Sequence, residues 1–304
     1  MKDISPQFCT AEIEDALNHP RKFVDLHTHT TASDGSLSPA DLVKAADRAK
    51  LAAIAITDHD TFAGVLPAIE SARDYPNLRI IPGIEISADY PRGVLHILGL
   101  GADLQNQALI DLAAELRAQR EKRNPQIIEK LRAVGVDITL EEVLAKAGSA
   151  HAKVVSRVHF AQVLIEKKYV KTVSQAFSDY LSKGAPGFVK KDQTPPARAI
   201  EILKSACKIV SLAHPSQLRC DNRAQLELLV RQFKQAGLNA IECYHSSHTQ
   251  NQTRIYTDLA VKYDLAITGG SDFHGQGKPD VILGHPRMPI SLLSQELLLP
   301  GDSE

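Results

Sequence analysis

A chain of 304 residues can bury one large hydrophobic core, or one core with a modest inserted unit. Apolar residues make up 43% and charged residues 23%, ordinary proportions for a globular protein in water. With 35 Lys+Arg against 36 Asp+Glu there is no global field to gather nucleic acid, so an anionic substrate must be met by local positive charge or by metal.

Cys9, Cys207, Cys220 and Cys243 form no C-x-x-C pair, which argues against a zinc ribbon or a disulfide framework. No apolar run approaches the roughly 18 residues of a membrane-spanning helix. The polar N-terminus carries no signal-peptide core. The expected setting is the reducing cytoplasm, with no membrane partner.

Residues 1–20 read as a loose or helical lead-in. A repeated grammar follows, in which a short apolar run is succeeded by a polar cluster and an amphipathic stretch. The runs are Phe23–Leu26, Ala53–Thr57, Arg79–Ile86, Val94–Leu100, Lys208–Ala213, Asn239–Cys243 and Leu265–Thr268. They are rich in Ile, Val and Leu without clean alternation, as strands buried on both faces are. Helical periodicity marks Pro39–Lys50, which opens behind Ser38 as a capping residue, and also Ala224–Ala236 and Thr253–Tyr263. Strands alternating with helices predict an α/β protein with a parallel sheet, open or closed into a barrel.

From Gly101 to Pro196 the grammar breaks. Helix-like pattern dominates, at Leu109–Arg123, Pro125–Val134, Leu140–Ala147, Arg157–Lys167 and Ser174–Leu181. The stretch reads as a mainly helical unit, 101–196, inserted between two parts of the α/β domain, 21–100 and 197–293. An insertion of that length inside a compact domain is usually functional.

The first strand ends Asp25-Leu26-His27-Thr28-His29. Histidines at i and i+2 of a strand point to one side, so both rings can reach one metal. Asp34 follows in a turn, and the second strand ends Thr57-Asp58-His59-Asp60, where Asp58 and Asp60 read equally well as turn caps. The third strand places Glu85 in an apolar context, which is costly without counter-charge. His96 lies in the fourth run, His214 ends the fifth, and Asp272 and His274 follow the last. Any one of these has a bland reading. Ligand-type residues at the ends of at least five strands of one sheet do not, because that edge is where such folds put their active sites.

Histidine, aspartate and glutamate without cysteine favour Mn²⁺, Zn²⁺ or Fe²⁺. So many candidate ligands exceed the needs of one ion. Two or three divalent ions with Glu85 as a bridge fit better, Mn²⁺ foremost. Such clusters activate water for attack on phosphorus, although amide hydrolysis uses similar ones.

His27-x-His29, Asp34, Thr57-Asp58-His59-Asp60, Gly83-x-Glu85, His96, Ala213-His214-Pro215 and Ser271-Asp272-x-His274 together resemble the polymerase and histidinol phosphatase (PHP) family, in family order over residues 23–275. The resemblance implies a distorted seven-stranded (β/α)7 barrel. It also implies that His27, His29, Glu85 and Asp272 hold one ion, Glu85, His96 and His214 a second, and Asp34, His59 and His274 a third. The insertion, with Arg120-x-x-Arg123 and Ser156-Arg157-x-His159-Phe160-Ala161, is similar to a narrower branch of 3′,5′-nucleoside bisphosphate phosphatases and 5′→3′ exoribonucleases acting on short RNA.

Arg120 and Arg123, three apart, share a helix face and can grip one phosphate. Arg157 and Lys190 can hold another. The competing reading is a solvated basic helix face. Tyr244-His245-Ser246-Ser247-His248 also follows a strand, so His245 or His248 can contact substrate or protonate a leaving oxygen. His19, His151, His159 and His285 read as structural or surface residues.

The expected function is hydrolysis of a small nucleotide, a 3′,5′-nucleoside bisphosphate or a short 5′-phosphorylated RNA, by attack of a metal-activated hydroxide. The alternatives are a histidinol-phosphate phosphatase, a proofreading-type DNA exonuclease, and a non-catalytic PHP-like metal-binding scaffold.

Overall fold

Among the described residues eight strands form a single sheet in the order β7-β6-β5-β4-β3-β2-β1-β8. They are β1 (Phe23–Thr28), β2 (Ala53–Ile56), β3 (Arg79–Ala88), β4 (Leu95–Ala102), β5 (Cys207–Leu212), β6 (Ala240–His245), β7 (Ala266–Gly270) and the short β8 (Met288–Pro289). The structure, a computed structural model, describes residues 21–147, 154–190, 194–294 and 297. The lead-in 1–20 with His19, and His151, lie outside them.

All seven expected runs are strands, but the sheet is not wholly parallel. β4 runs antiparallel to both β3 and β5. The reason is local: β3 passes directly into β4 with no helix between them, and a short connection can join only antiparallel neighbours. The reversal matters for the site. Ser87 near the end of β3 pairs with His96 near the start of β4, so His96 reaches the rim where the parallel strands end. β8, too short to read from sequence, pairs antiparallel with the outer side of β1.

The sheet curls until β7 meets β1. Asp272 N donates to His27 O at 2.8 Å and His29 N donates to Phe273 O at 3.0 Å, which draws the two strand ends together and nearly closes a barrel. Alternation along the strands separates two environments. Ala53, Ala55, Leu98, Leu100 and Ile209 share one apolar cluster, which we take as the barrel interior. Their neighbours Ile54 and Ile56, and Ile97, Val210 and Leu212, pack outward against helices. Those helices are α1 (Pro39–Arg48), α2 (Val65–Ser71), α7 (Pro196–Ala206), α8 (Arg223–Ala236) and α9 (Gln250–Lys262). Ser38 caps α1 as expected, its side chain accepting from Asp41 N. The helices α2 and α7 were not expected.

Between β4 and β5 come α3 (Gln107–Ala133), α4 (Leu140–Ala147), α5 (Arg157–Glu166) and α6 (Val173–Ala176), the last continuing into a π-turn over Phe177–Leu181. α3 is one helix where two were expected, for it runs through Pro125. An interior proline costs about 3 kcal/mol or more, and burial on both sides of it offsets that cost. Leu109, Leu112 and Leu116 pack in the barrel-side core, whereas Ile127, Ile128 and Leu131 join Phe160, Val163 and Leu164 in a separate core. The helix thus changes partners around Arg120 and Arg123, which are buried at the changeover.

Candidate metal centre and its cavity

Glu85 is the hub. Its Oε1 faces His96 Nδ1 at 2.8 Å, His214 Nε2 at 3.1 Å and His27 Nε2 at 3.2 Å. Its Oε2 faces His59 Nδ1 at 2.7 Å and His29 Nε2 at 3.3 Å. Beside this hub, Asp34 Oδ1 lies 3.2 Å from His274 Nε2 and 3.9 Å from His59 Nε2. Asp272 Oδ1 lies 3.3 Å from His29 Nε2, 3.4 Å from His274 Nδ1 and 3.7 Å from His27 Nε2. Every residue expected as a metal ligand is therefore in one cluster, drawn from both halves of the chain.

The residues fit divalent metal. Ligand atoms of His29, Asp34, His59 and His274, of His27, His29 and Glu85, and of His59, Glu85 and His96 lie within 4.8 Å of one another in each group. His27 Nε2, both ring nitrogens of His29, Asp34 Oδ1, His59 Nδ1 and Glu85 Oε2 are buried without a hydrogen-bond partner among the described residues. So many unsatisfied polar atoms converging in one place are costly unless a cation meets them. Electrostatics agree at Glu85 and His29, whereas at His27 and His59 the lowering by burial is overridden by Glu85, which holds both above the usual imidazole value. Burial pushes the Glu85 pKa up, yet His59, His96 and His27 hold it well below the usual carboxylate range. Burial, reinforced by His274 and His59, holds His29 well below the usual imidazole value, the neutral form a ligand needs.

Carboxylates around the cluster brace it. Asp58 accepts from Thr30 N at 2.8 Å, Thr30 Oγ1 at 2.7 Å and Ser33 Oγ at 2.6 Å, which fixes the turn that carries Asp34. Asp25 accepts from Ser271 N at 2.8 Å, Ser271 Oγ at 2.6 Å and Gly284 N at 2.7 Å, locking the segment that carries Asp272. Glu242 on β6, fully buried, accepts from His27 Nδ1 at 3.1 Å and from the backbone N of His214 at 2.6 Å. Sequence reasoning passed over Glu242. The available signal was a carboxylate inside an apolar strand run, the same clue that exposed Glu85.

A cavity of about 700 Å³ opens from the cluster, with Asp34, His59, His96 and His274 on its wall. Arg120, Arg123, Arg157 and Lys190 line it as well. Arg120 is held by Asp60, which accepts from Nε at 2.8 Å and Nη2 at 2.5 Å, while its Oδ1 accepts from Ser87 N on β3 at 2.9 Å, so Asp60 orients the arginine against the sheet. Arg123 Nη2 donates to Asn124 Oδ1 at 2.9 Å. Arg157 Nη1 donates to Leu181 O at 3.1 Å, with its guanidinium over the Phe177 ring at 5.5 Å. Burial, together with the charges of Arg120 and Arg157, lowers the Arg123 pKa well below its ordinary value; burial and Arg120 lower Arg157 to about 10. Guanidinium stays protonated near neutrality, so Arg123 and Arg157 are buried cations whose burial an anion in the cavity would offset. Lys190 stands exposed at the rim.

His245 and His248 do not line this cavity. His245 Nε2 lies 3.5 Å from Asp272 Oδ2, while its Nδ1 accepts from Ser247 N at 3.0 Å. His248 donates from Nδ1 to Cys243 O at 3.1 Å and packs its ring on Tyr256; burial and His245 lower it to about 4. His159 is structural, its Nδ1 accepting from Ser156 N in the capping box that opens α5. Lys278, not singled out in the sequence, lines the cavity and places Nζ 2.5 Å from Asp272 Oδ2.

Comparison with known proteins agrees with this geometry. A 5′-3′ exoribonuclease of Haemophilus influenzae is 34% identical over 253 residues, 83% of this chain and 90% of that protein. A 3′,5′-nucleoside bisphosphate phosphatase of Chromobacterium violaceum is 31% identical over 264 residues, 86% of this chain and 90% of its own. Among solved structures, a protein of Bifidobacterium adolescentis assigned as a metal-dependent phosphoesterase superposes with a TM-score of 0.84 at 30% identity, covering 92% of this chain and 97% of that one. The PHP domain profile matches residues 25–286, and the chain belongs to the PHP domain family.

Proposed function

We propose that the protein is a metal-dependent phosphoesterase acting on small nucleotides that carry two phosphates: 3′,5′-nucleoside bisphosphates, short 5′-phosphorylated RNA, or both. The observation that carries the reading is one cavity joining the histidine–carboxylate cluster to three desolvated guanidiniums. A phosphate seated on Arg123 and Arg157, beside the Arg120 that Asp60 already holds, supplies negative charge to buried guanidiniums and places a second phosphate of the same molecule toward the cluster. His27, His29, Asp34, His59, Glu85, His96, His214, Asp272 and His274 would hold divalent ions, which would supply Lewis-acid activation of water and charge neutralisation at a phosphoryl group. The nitrogen and oxygen donor set suits Mn²⁺, in two or three sites. The names of the Haemophilus and Chromobacterium relatives support the substrate class.

In this reading the barrel of 21–100 and 197–293 holds the metals, while the helical insertion of 101–196 supplies the second phosphate site. His245 serves by its place on Asp272, and Lys190 by its charge at the rim. Among the described residues no helix is long and apolar enough to cross a membrane. The thiols of Cys207, Cys220 and Cys243 are unpaired, which suits the cytoplasm.

The test is turnover in the presence of Mn²⁺ of adenosine 3′,5′-bisphosphate, a short 5′-phosphorylated RNA and histidinol phosphate. Release of phosphate from the bisphosphate or of mononucleotides from the RNA 5′ end is expected. Preference for histidinol phosphate would leave the metal cluster standing and sink the two-phosphate reading.

A further inference from the structure

Lys278 has no place in the chemistry so far, yet it bridges the two halves of the site. Asp272 divides its oxygens: Oδ1 faces His27, His29 and His274, while Oδ2 faces Lys278 Nζ at 2.5 Å and His245 Nε2 at 3.5 Å. A lysine serving only to brace a buried carboxylate would be enclosed. The Lys278 side chain instead remains 39% exposed, and it lines the same cavity wall as His59, His96 and the arginines. An ammonium carries three donors. Asp272 engages one, leaving the others to the cavity.

Lys278 also stands apart from the arginines in its anchoring. It follows the tight Gly275–Gly277 turn directly after His274, so the peptide that sets one member of the cluster also sets the lysine. The guanidiniums come from α3 and α5, beyond the barrel rim. A phosphate lying on the cluster therefore meets Lys278, whereas a phosphate elsewhere in the substrate meets the arginines.

We propose that Lys278 is a catalytic residue that donates hydrogen bonds to the oxygens of the phosphate being cleaved, and so stabilises the charge that builds there in the transition state. This rests on the phosphoesterase reading. A fixed cation aimed at developing charge acts mainly on kcat, because it is worth more in the transition state than in the bound substrate. Arg at the same place preserves the charge but changes its reach and shape. The arginines, by contrast, bind a phosphate that does not react, and act mainly on KM.

The experiment compares wild type, Lys278→Gln and Lys278→Arg with Mn²⁺, reading kcat and KM on adenosine 3′,5′-bisphosphate together with bound metal by elemental analysis. The expected result for Lys278→Gln is a fall in kcat of about 10²-fold, the scale of losing one oriented donor. KM should change less than threefold, metal content should be unchanged, and Lys278→Arg should recover part of the rate. Unchanged kcat in Lys278→Gln overturns the inference and leaves the phosphoesterase reading intact. Loss of metal in step with loss of rate also overturns it, since Lys278 would then be a brace for Asp272. A wild-type protein inert towards every phosphate ester sinks both.

Discussion

Glu242 holds His27 by its outer nitrogen, accepting from Nδ1 at 3.1 Å so that Nε2 is turned toward Glu85. Burial pushes the Glu242 carboxyl up, but His27 and His245 pull it below its ordinary value. An ionised carboxylate only accepts, so the His27 proton belongs on Nδ1 and the Nε2 lone pair is available to a metal. The same carboxylate accepts from the backbone N of His214, which sits at a φ of 26° that few residues other than glycine adopt. One buried group thus sets two members of the cluster, on β1 and at the end of β5.

Glu242→Ala should therefore weaken metal binding about 10- to 100-fold, the usual consequence of removing an outer partner of a histidine ligand. Titration calorimetry with Mn²⁺ reads this directly, and excess Mn²⁺ should recover much of the rate. Unaltered affinity would show that the cluster organises itself without Glu242. A clean loss of one ion from the stoichiometry would instead make Glu242 a ligand, as its proximity to His27 and His245 allows.

Removing a guanidinium separates the two phosphates of the substrate. Arg157→Met or Arg123→Met should raise KM for adenosine 3′,5′-bisphosphate by roughly 10- to 100-fold, since a hydrogen bond to a charged group is worth about 1.5–3 kcal/mol. A phosphate monoester with no second phosphate should be cleaved as by wild type. Steady-state kinetics on both substrates decide the matter. Equal losses on the two would place the arginines at the reacting phosphate. Arg120→Met is the less clean variant, because it removes the guanidinium paired with the buried Asp60 carboxylate.

The seven strands of the barrel and the candidate ligand residues are legible in the sequence because each follows from a local rule. A run of Ile, Val and Leu too short for a helix is a strand, and a charged group at its end belongs to a rim. What stayed hidden depends on pairing across the sheet. The reversal of β4 cannot be seen in its own composition, and it alone explains why His96, at the beginning of a strand, joins residues at the ends of others. β8 holds only Met288 and Pro289, and is a strand only because β1 offers an edge. α3 crosses Pro125 because two cores grip it, a tertiary effect that overrides the local preference to stop. Glu242 carries the same signal as Glu85, a carboxylate in an apolar run, whereas Lys278 carries none: its importance comes from what it touches.

Chelation tests the fit of the cluster to metal without a mutation. Treatment with a strong chelator should abolish hydrolysis, and Mn²⁺ should restore it. The treated protein should also melt lower, because the buried nitrogens and oxygens around Glu85 are left facing one another. Added metal at 100 times its dissociation constant should stabilise by about 2.7 kcal/mol per independent site. Calorimetry of the chelated and reloaded protein measures both effects. Full activity after chelation would remove the metal from the mechanism.

Gly270 places the barrel seam under the same test. It ends β7 against β1, and a Cβ there would fall 2.4 Å from both the Cβ and the backbone N of His27. Neither strand can easily retreat. Asp272 N is bonded to His27 O and His29 N to Phe273 O, so spreading the strands breaks the bonds that close the barrel and draws His27 and Asp272 apart. Overpacking of this kind costs about 1–3 kcal/mol where side chains can give way, and more is expected where backbone must move. Gly270→Ala should therefore lower both the melting temperature and the affinity for Mn²⁺. Gly135 supplies the contrast. It has a φ of 82° and nothing within 4 Å of the place a methyl group would take, so Gly135→Ala carries only the backbone cost of about 1–2 kcal/mol. That variant should melt lower with metal affinity and turnover unchanged. If Gly270→Ala behaves the same way, the seam is not what aligns His27 with Asp272.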